Sequence, residues 1–265
     1  HILSMGLTRS SNANSGIDDD IIEIAGFPLT VPDSSKPQGD ITKNFRYTYT
    51  LKQDLNHPMG DNVNYVVALT DQRLDTYSQF DTSSIVASAT RTFNLEGNPT
   101  SIFSRPSLDA SITGFMVLLA DKSLLSSQKY DLTFTGALSD RLLFSIGGFH
   151  DQRKFLINDL KSGYINGLAL SNSYISDSNV LTEFEYEYSK YNAKASYETY
   201  QSNSFGLNIT SALGRGWGFK ASLSHAKKSH FSEFPIFGER KEEIKSNLIS
   251  SPPIRNMNAL SAKKY

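Results

Sequence analysis

Alternation of apolar and polar residues with a period of two runs through most of this chain, and few folds accommodate that pattern at such length. From Ile41 to Gln53 one face carries Phe45, Tyr47, Tyr49 and Leu51, and the other carries Asn44, Arg46, Thr48, Thr50 and Lys52. From Asp61 to Thr70 the apolar face is Val63, Tyr65, Val67 and Leu69. From Leu181 to Lys190 it is Phe184, Tyr186 and Tyr188, set against Glu183, Glu185 and Glu187. From Gly216 to Lys228 it is Trp217, Phe219, Ala221 and Leu223, set against Lys220, Ser222 and Ser224. Successive side chains of a strand point to opposite faces, so each segment builds one apolar and one polar surface.

About twelve such segments follow one another, near 1–9, 39–53, 61–72, 80–93, 107–119, 128–138, 140–153, 163–174, 178–189, 198–211, 216–229 and 239–250. Each supplies the roughly 9–11 residues that a tilted membrane strand needs. Turn-forming clusters separate them, among them His57-Pro58-Met59-Gly60-Asp61, Ser139-Asp140, Ser176-Asp177-Ser178-Asn179 and Gly214-Arg215-Gly216. Short connectors alternate with longer ones, the asymmetry of a barrel with short turns at one end and loops at the other. The longest connector runs from about Ser10 to Gln38 and holds Asp18-Asp19-Asp20, Pro28, Pro32 and Pro37. No run of helical periodicity competes.

Two architectures present alternating strands. A soluble sandwich or propeller has one face on a core and one in water. A transmembrane barrel reverses the roles, with apolar residues outside against lipid and polar residues around the lumen. The segments are longer than the usual 5–6 residues of soluble strands. The polar faces carry frank charge, and aromatics gather toward strand ends, where interfacial girdles form. Hydrophobic content of 38% and a mean hydropathy of -0.35 are those of a water-soluble chain, but a barrel apolar on one face alone averages the same. The most apolar stretch, Ile112 to Ala120, is too short for a membrane helix. The expected fold is all-β: an antiparallel up-and-down transmembrane β-barrel of the bacterial outer membrane over residues 1–250, with an irregular tail over 251–265.

Gly6-Leu7-Thr8-Arg9-Ser10-Ser11-Asn12-Ala13-Asn14 reads as a strand running into an Asn-x-Asn turn, followed by Gly26-Phe27-Pro28-Leu29-Thr30 and Ser34-Ser35-Lys36-Pro37-Gln38-Gly39-Asp40. Near the end, Phe237-Gly238-Glu239-Arg240-Lys241-Glu242-Glu243 leads into a late strand. These stretches, with the strand rhythm, resemble the C-terminal barrel of the surface lipoprotein assembly modulator (Slam) family. The resemblance implies a fourteen-stranded barrel, of which about twelve strands are present here, and a role in moving lipoproteins or other secreted clients to the surface. Members typically carry a helical-repeat domain ahead of the barrel, which this chain lacks. With no secretion signal at the front and with Ser251-Pro252-Pro253 interrupting the alternation, the chain reads as a fragment whose last two strands are missing or replaced.

Chemistry is sparse. There is no Gly-x-Ser-x-Gly elbow, phosphate loop or His-Glu-x-x-His, so no catalytic residue, cofactor site or metal site is assigned and no enzyme is expected. With no Cys, thiolate catalysis and Cys-ligated metals are excluded. A net charge of -1 gives no push toward nucleic acid. The five histidines are scattered, and His225 and His230 fall on opposite faces of a strand. Asp18, Asp19 and Asp20 read as a solvated turn, since they lack the spaced ligands of a calcium loop. Candidate lumen charges are Glu183, Glu185 and Glu187 on one strand face, with Arg46 and Lys220; the glutamates read as lumen wall, paired across strands with bases such as Lys220 or Arg153, the alternative being a cation-preferring or substrate-guiding stripe. Outer-membrane lipids and a client protein are the expected partners. The alternatives are a passive pore for small solutes and a structural barrel with adhesive loops.

Overall fold

A computed structural model describes residues 2–11, 21–24, 27–30, 38–96, 102–214, 217–233 and 240–255. Its strands are β1 (Ile2–Ser10), β2 (Ile21–Ile24), β3 (Phe27–Thr30), β4 (Asp40–Asp54), β5 (Asn62–Leu74), β6 (Thr82–Asn94), β7 (Ser104–Leu119), β8 (Lys122–Ser139), β9 (Leu142–Phe155), β10 (Gly163–Ile175), β11 (Val180–Ala193), β12 (Tyr200–Gly214), β13 (Trp217–Glu233) and β14 (Arg240–Arg255). Twelve of them form one antiparallel sheet in the order β1-β4-β5-β6-β7-β8-β9-β10-β11-β12-β13-β14, each paired with its sequence neighbours. β2 and β3 make a separate hairpin inside the long first connector. Among the described residues there is no α-helix, and no ladder joins β14 to β1. The chain is therefore all-β, with an up-and-down meander of twelve long strands, as the alternation requires.

Register assigns the faces. Residues directly opposite in an antiparallel pair share a face. One row runs Thr48–Ala68–Val86–Phe115–Ser127–Arg153–Gly163–Ala193 across eight strands, and its face is polar. A row on the other side runs Leu132–Gly148–Leu168–Tyr188. The large exposed hydrophobics lie on that second face, including Met5 (73% exposed), Leu168 (60%) and Leu132 (53%). The best-screened side chains lie on the polar face: Asp151 at 3%, Ile165 and Tyr191 at 5%, and Ser189. The alternation is sharpest on β10, where Ile165 and Gly167 are buried while Tyr164, Leu168 and Leu170 are exposed.

The described residues build no conventional core. Among the described residues only Ile165, Tyr191 and Ala195 are buried hydrophobics, and no side chain is fully buried. The chain exposes 17595 Å², against about 11,500 Å² for a compact water-soluble protein of its mass. The sheet is held by its ladders and by cross-strand pairs, not by a packed interior.

The turns follow elementary backbone rules. Ala120 and Asp121 join β7 to β8 with φ of 48° and 61°. Both central residues of a type I′ hairpin need positive φ, which matches the twist of the flanking strands. Sequence alternation placed the start of this strand near 128, but β8 begins at Lys122. Leu118 pairs with Ser123 and Val117 with Leu125, so Leu124 is a bulge that slips the period-2 phase. Similarly β7 begins at Ser104, ahead of 107, with a register shift around Pro106 and positive φ at Arg105. The expected alternation of connector lengths is incomplete: this two-residue hairpin shares a rim with the six- and seven-residue connections of β5–β6, β9–β10 and β11–β12. β14 continues past Ser251 to Arg255, with the ladder shifting between Ser251 and Ile254, where Pro252 and Pro253 have no N–H to donate. The remainder of the expected tail lies outside the described residues, as do Asp18, Asp19, Asp20 and positions 237–239.

One rim repeats a device. We call the end bearing the β5–β6, β7–β8, β9–β10 and β11–β12 connections rim A, and the opposite end rim B. Three rim A connections carry a single 3-10 turn, over Ser78–Phe80, Asp159–Lys161 and Ser196–Glu198. Just before the next strand stands a small polar residue that folds its side chain back onto the end of the previous one. Asp81 accepts from the Leu74 N–H at 2.8 Å, Ser162 from Phe155 at 2.9 Å and Thr199 from Ala193 at 3.2 Å. The carbonyls of the same three residues accept the N–H groups of Ala120 and Lys194 in the next connection and of Phe231 near the end of β13. Neighbouring turns are thereby tied sideways, and backbone groups that leave the ladder stay satisfied.

Candidate functional site

The polar face holds the best-screened strand side chains and all the charges singled out from the sequence. Arg46 faces Ser4 and Thr70, Lys220 faces Thr210, and Glu183, Glu185 and Glu187 face Asn208, Gly206 and Ser204. All five residues singled out from the sequence share this face. They do not form one cluster. Arg46 on β4 stands seven strands along the sheet from β11.

The expected pairing of the glutamates with Lys220 or Arg153 is not what the side chains do. Arg153 donates from Nε to Asp151 Oδ2 at 2.7 Å. The Ser127 hydroxyl donates to the other oxygen of Asp151. Among the described residues no ion pair reaches Glu183, Glu185 or Glu187. The reason is spacing: a row step between strands is about 4.8 Å, and Lys220 lies two strands away and one row off.

Between the glutamates and β14 the floor is made of small residues. The row Ala169–Glu187–Ser204–Ala226–Lys245 and its neighbour Ser171–Glu185–Gly206–Ser224–Asn247 outline it. Glu185 leans over Gly206, where an added Cβ would meet Glu185 Oε2 at 3.8 Å. The result is a concavity of about 550 Å³ with an acidic wall on β11 and Lys245 and Asn247 on its far side. Chemically this arrangement can attract and guide a cation or a basic segment. It holds no nucleophile–base pair.

Toward rim A the polar face is tied more tightly. Lys129 pairs with Asp131 at 2.5 Å, and Asp131 also accepts from the Ser111 hydroxyl at 3.3 Å. Lys228 lies 4.1 Å from the centre of the Tyr200 ring and 3.6 Å from Glu243. The Tyr191 hydroxyl donates to the Lys161 carbonyl, and His230 Nδ1 donates to the Tyr197 carbonyl at 2.9 Å. The last two contacts anchor two of the 3-10 turns to the polar face. Sequence reading missed the anchors; the available signal was a lone Asp, Ser or Thr directly ahead of a strand.

Outside the strands, Lys194 binds Asp159 and holds its carboxyl below the usual carboxylate range, helped by Ser162. His225 and His230 lie on opposite faces, facing Phe205 and Tyr200. No group of three or more metal-ligating side chains occurs among the described residues. No protein-family model, curated protein or solved structure matches the chain.

Proposed function

We propose that the sheet is the wall of an outer-membrane β-barrel whose polar face lines a water-filled lumen, and that the barrel assists passage of client proteins, lipoproteins in the first place, to the cell surface. One observation carries the barrel reading: large apolar side chains are exposed across one face of a twelve-stranded sheet, while the opposite face is polar and holds the best-screened strand side chains, Asp151, Ile165, Ser189 and Tyr191. In water that face would be an aggregation surface far beyond the few hundred Å² that soluble monomers expose. Against lipid it is the ordinary outer wall. Closure follows from the same physics, because unpaired strand edges are not tolerated in hydrocarbon.

The client role rests on the resemblance carried by residues 6–14, 26–30, 34–40 and 237–243 and by the strand rhythm. The barrel acts by gating and by lumen contacts, and the acidic wall of β11 favours basic segments of a client. The test is protease shaving of surface lipoproteins in cells with and without this protein. Reduced exposure of at least one lipoprotein in its absence is expected; unchanged exposure of every one would overturn the role. The unpaired glutamates favour a second reading, a cation-preferring pore. Planar-bilayer recordings separate the two. A steady open channel whose cation preference falls in the Glu183→Gln/Glu185→Gln/Glu187→Gln variant, with client display unaffected, would favour the pore.

A further inference from the structure

A second concavity, of about 810 Å³, lies on the apolar face near rim A. Two ladder rows build it. One runs Ile85–Met116–Ser126 and continues to Lys154; the other runs Ala87–Gly114–Gln128–Gln152–Tyr164. Side chains shrink along its floor at Ala87 and Gly114, so the groove is a gap in the apolar wall. An added Cβ at Gly114 would find its nearest neighbour, the Ala87 carbonyl oxygen, at 3.9 Å, which leaves the space open.

The groove changes character along its length. Its far end is aliphatic, with Ile85 and Met116. Its rim end carries Lys154 and Lys194, which flank Ser162 at the start of β10 from either side, with Asp159 beside them. Lys194 holds Asp159, while Lys154 makes no ion pair among the described residues. Two cations against one anion leave net positive charge where the apolar floor meets the rim. Tyr164 stands in the same groove, and an amphipathic ring at that level suits a membrane interface.

We infer that this groove seats an anionic lipid, its phosphate at Lys154 and Lys194 and an acyl chain along Ala87 and Gly114. The inference rests on the barrel reading, which makes the groove lipid-facing. It deepens that reading by placing rim A at the phosphate level of a leaflet. The chemistry of the pocket selects the occupant: the open floor at Ala87 and Gly114 beside Ile85 and Met116 accepts a chain, the polar middle at Ser126, Gln128, His150 and Gln152 meets the glycerol region, and the cationic end accepts a phosphate.

The test is native mass spectrometry of the detergent-purified protein incubated with phosphatidylglycerol or phosphatidylcholine. Wild type is expected to retain phosphatidylglycerol about fivefold better, the effect of two lysines offset by one aspartate near an anionic headgroup. Lys154→Gln, which leaves the Lys194–Asp159 pair intact, is expected to remove most of that preference. Gly114→Leu fills the floor and is expected to reduce retention of both lipids without altering the preference. Equal retention of the two lipids by folded wild type would overturn the inference alone. Displacement of bound phosphatidylglycerol by millimolar inorganic phosphate would also overturn it, by showing a phosphate site that does not need the chain. Failure of wild type to fold in micelles or bilayers would bring down the barrel reading itself.

Discussion

Leu168 lies at the middle of β10, on the apolar face, between Gly148 and Tyr188. It is five residues past Gly163, the strand's first residue. At about 3.3 Å per residue and a tilt of about 45°, that depth is roughly 12 Å below rim A, near the centre of an apolar band about 25 Å tall. An arginine at that depth is predicted to destabilise the folded barrel by about 2–4 kcal/mol, a fall of roughly 30- to 900-fold in the folded-to-unfolded ratio. Ala169→Arg, one residue on, would place the same charge on the polar face beside Glu187 and is expected to be within about 0.5 kcal/mol of wild type. Tyr164→Arg, one residue from the strand's start, is expected to cost about 0–1 kcal/mol. Urea titration of the protein refolded into phosphatidylcholine vesicles, followed by the fluorescence of its single tryptophan, measures all three. Equal tolerance of arginine at 168 and 169, or a larger loss at 169, would refute the assignment of faces.

Ser162→Ala removes the side-chain acceptor of the Phe155 N–H and should lower stability by about 1 kcal/mol, read as a shift of the urea midpoint with unchanged slope. Ala120→Gly should stabilise by about 0.5–1 kcal/mol, because Ala120 holds a positive φ that glycine adopts freely, and Ala120→Val should destabilise. The Asp159 carboxyl is held low chiefly by Lys194, so its contribution to loop stability is complete above the ordinary carboxylate pKa and is lost as pH falls through the lowered value in the folded protein. An NMR titration of Asp159 in Lys194→Gln is accordingly expected to move its midpoint upward; an unmoved midpoint would contradict the pairing.

The sheet was legible because its long strands alternate over many residues, as from Phe45 to Leu51 and from Glu183 to Tyr188. The polar-face position of Glu183, Glu185, Glu187, Arg46 and Lys220 was legible for the same reason, since parity along a strand decides the face. What was hidden is what parity does not encode. Leu124 bulges out of register, so the first turn of β8 looked like a connector. Arg153 pairs with Asp151 by adjacency on one strand face, and the glutamates lie too many rows or strands from Arg153 and Lys220 to pair with either. The rim anchors Asp81, Ser162 and Thr199 are separated by whole hairpins in sequence and become a pattern only when the strands stand side by side. The groove on the apolar face depends on small residues from different strands, Ala87 and Gly114, meeting in one row.

The central claim is that one face of this sheet meets lipid and the other meets water. The chain has no cysteine, so a single introduced cysteine is a unique reporter at any position. Scanning β10 from Ile165 to Ser173 in vesicles, with a membrane-impermeant maleimide that can enter the lumen and with lipid-borne quenchers against a cysteine-attached fluorophore, reads the two environments residue by residue. The account predicts maleimide labelling at 165, 167, 169, 171 and 173, and quenching by lipid at 168 and 170. Labelling of both sets by the water-soluble reagent, or lipid quenching at the odd positions, would contradict it.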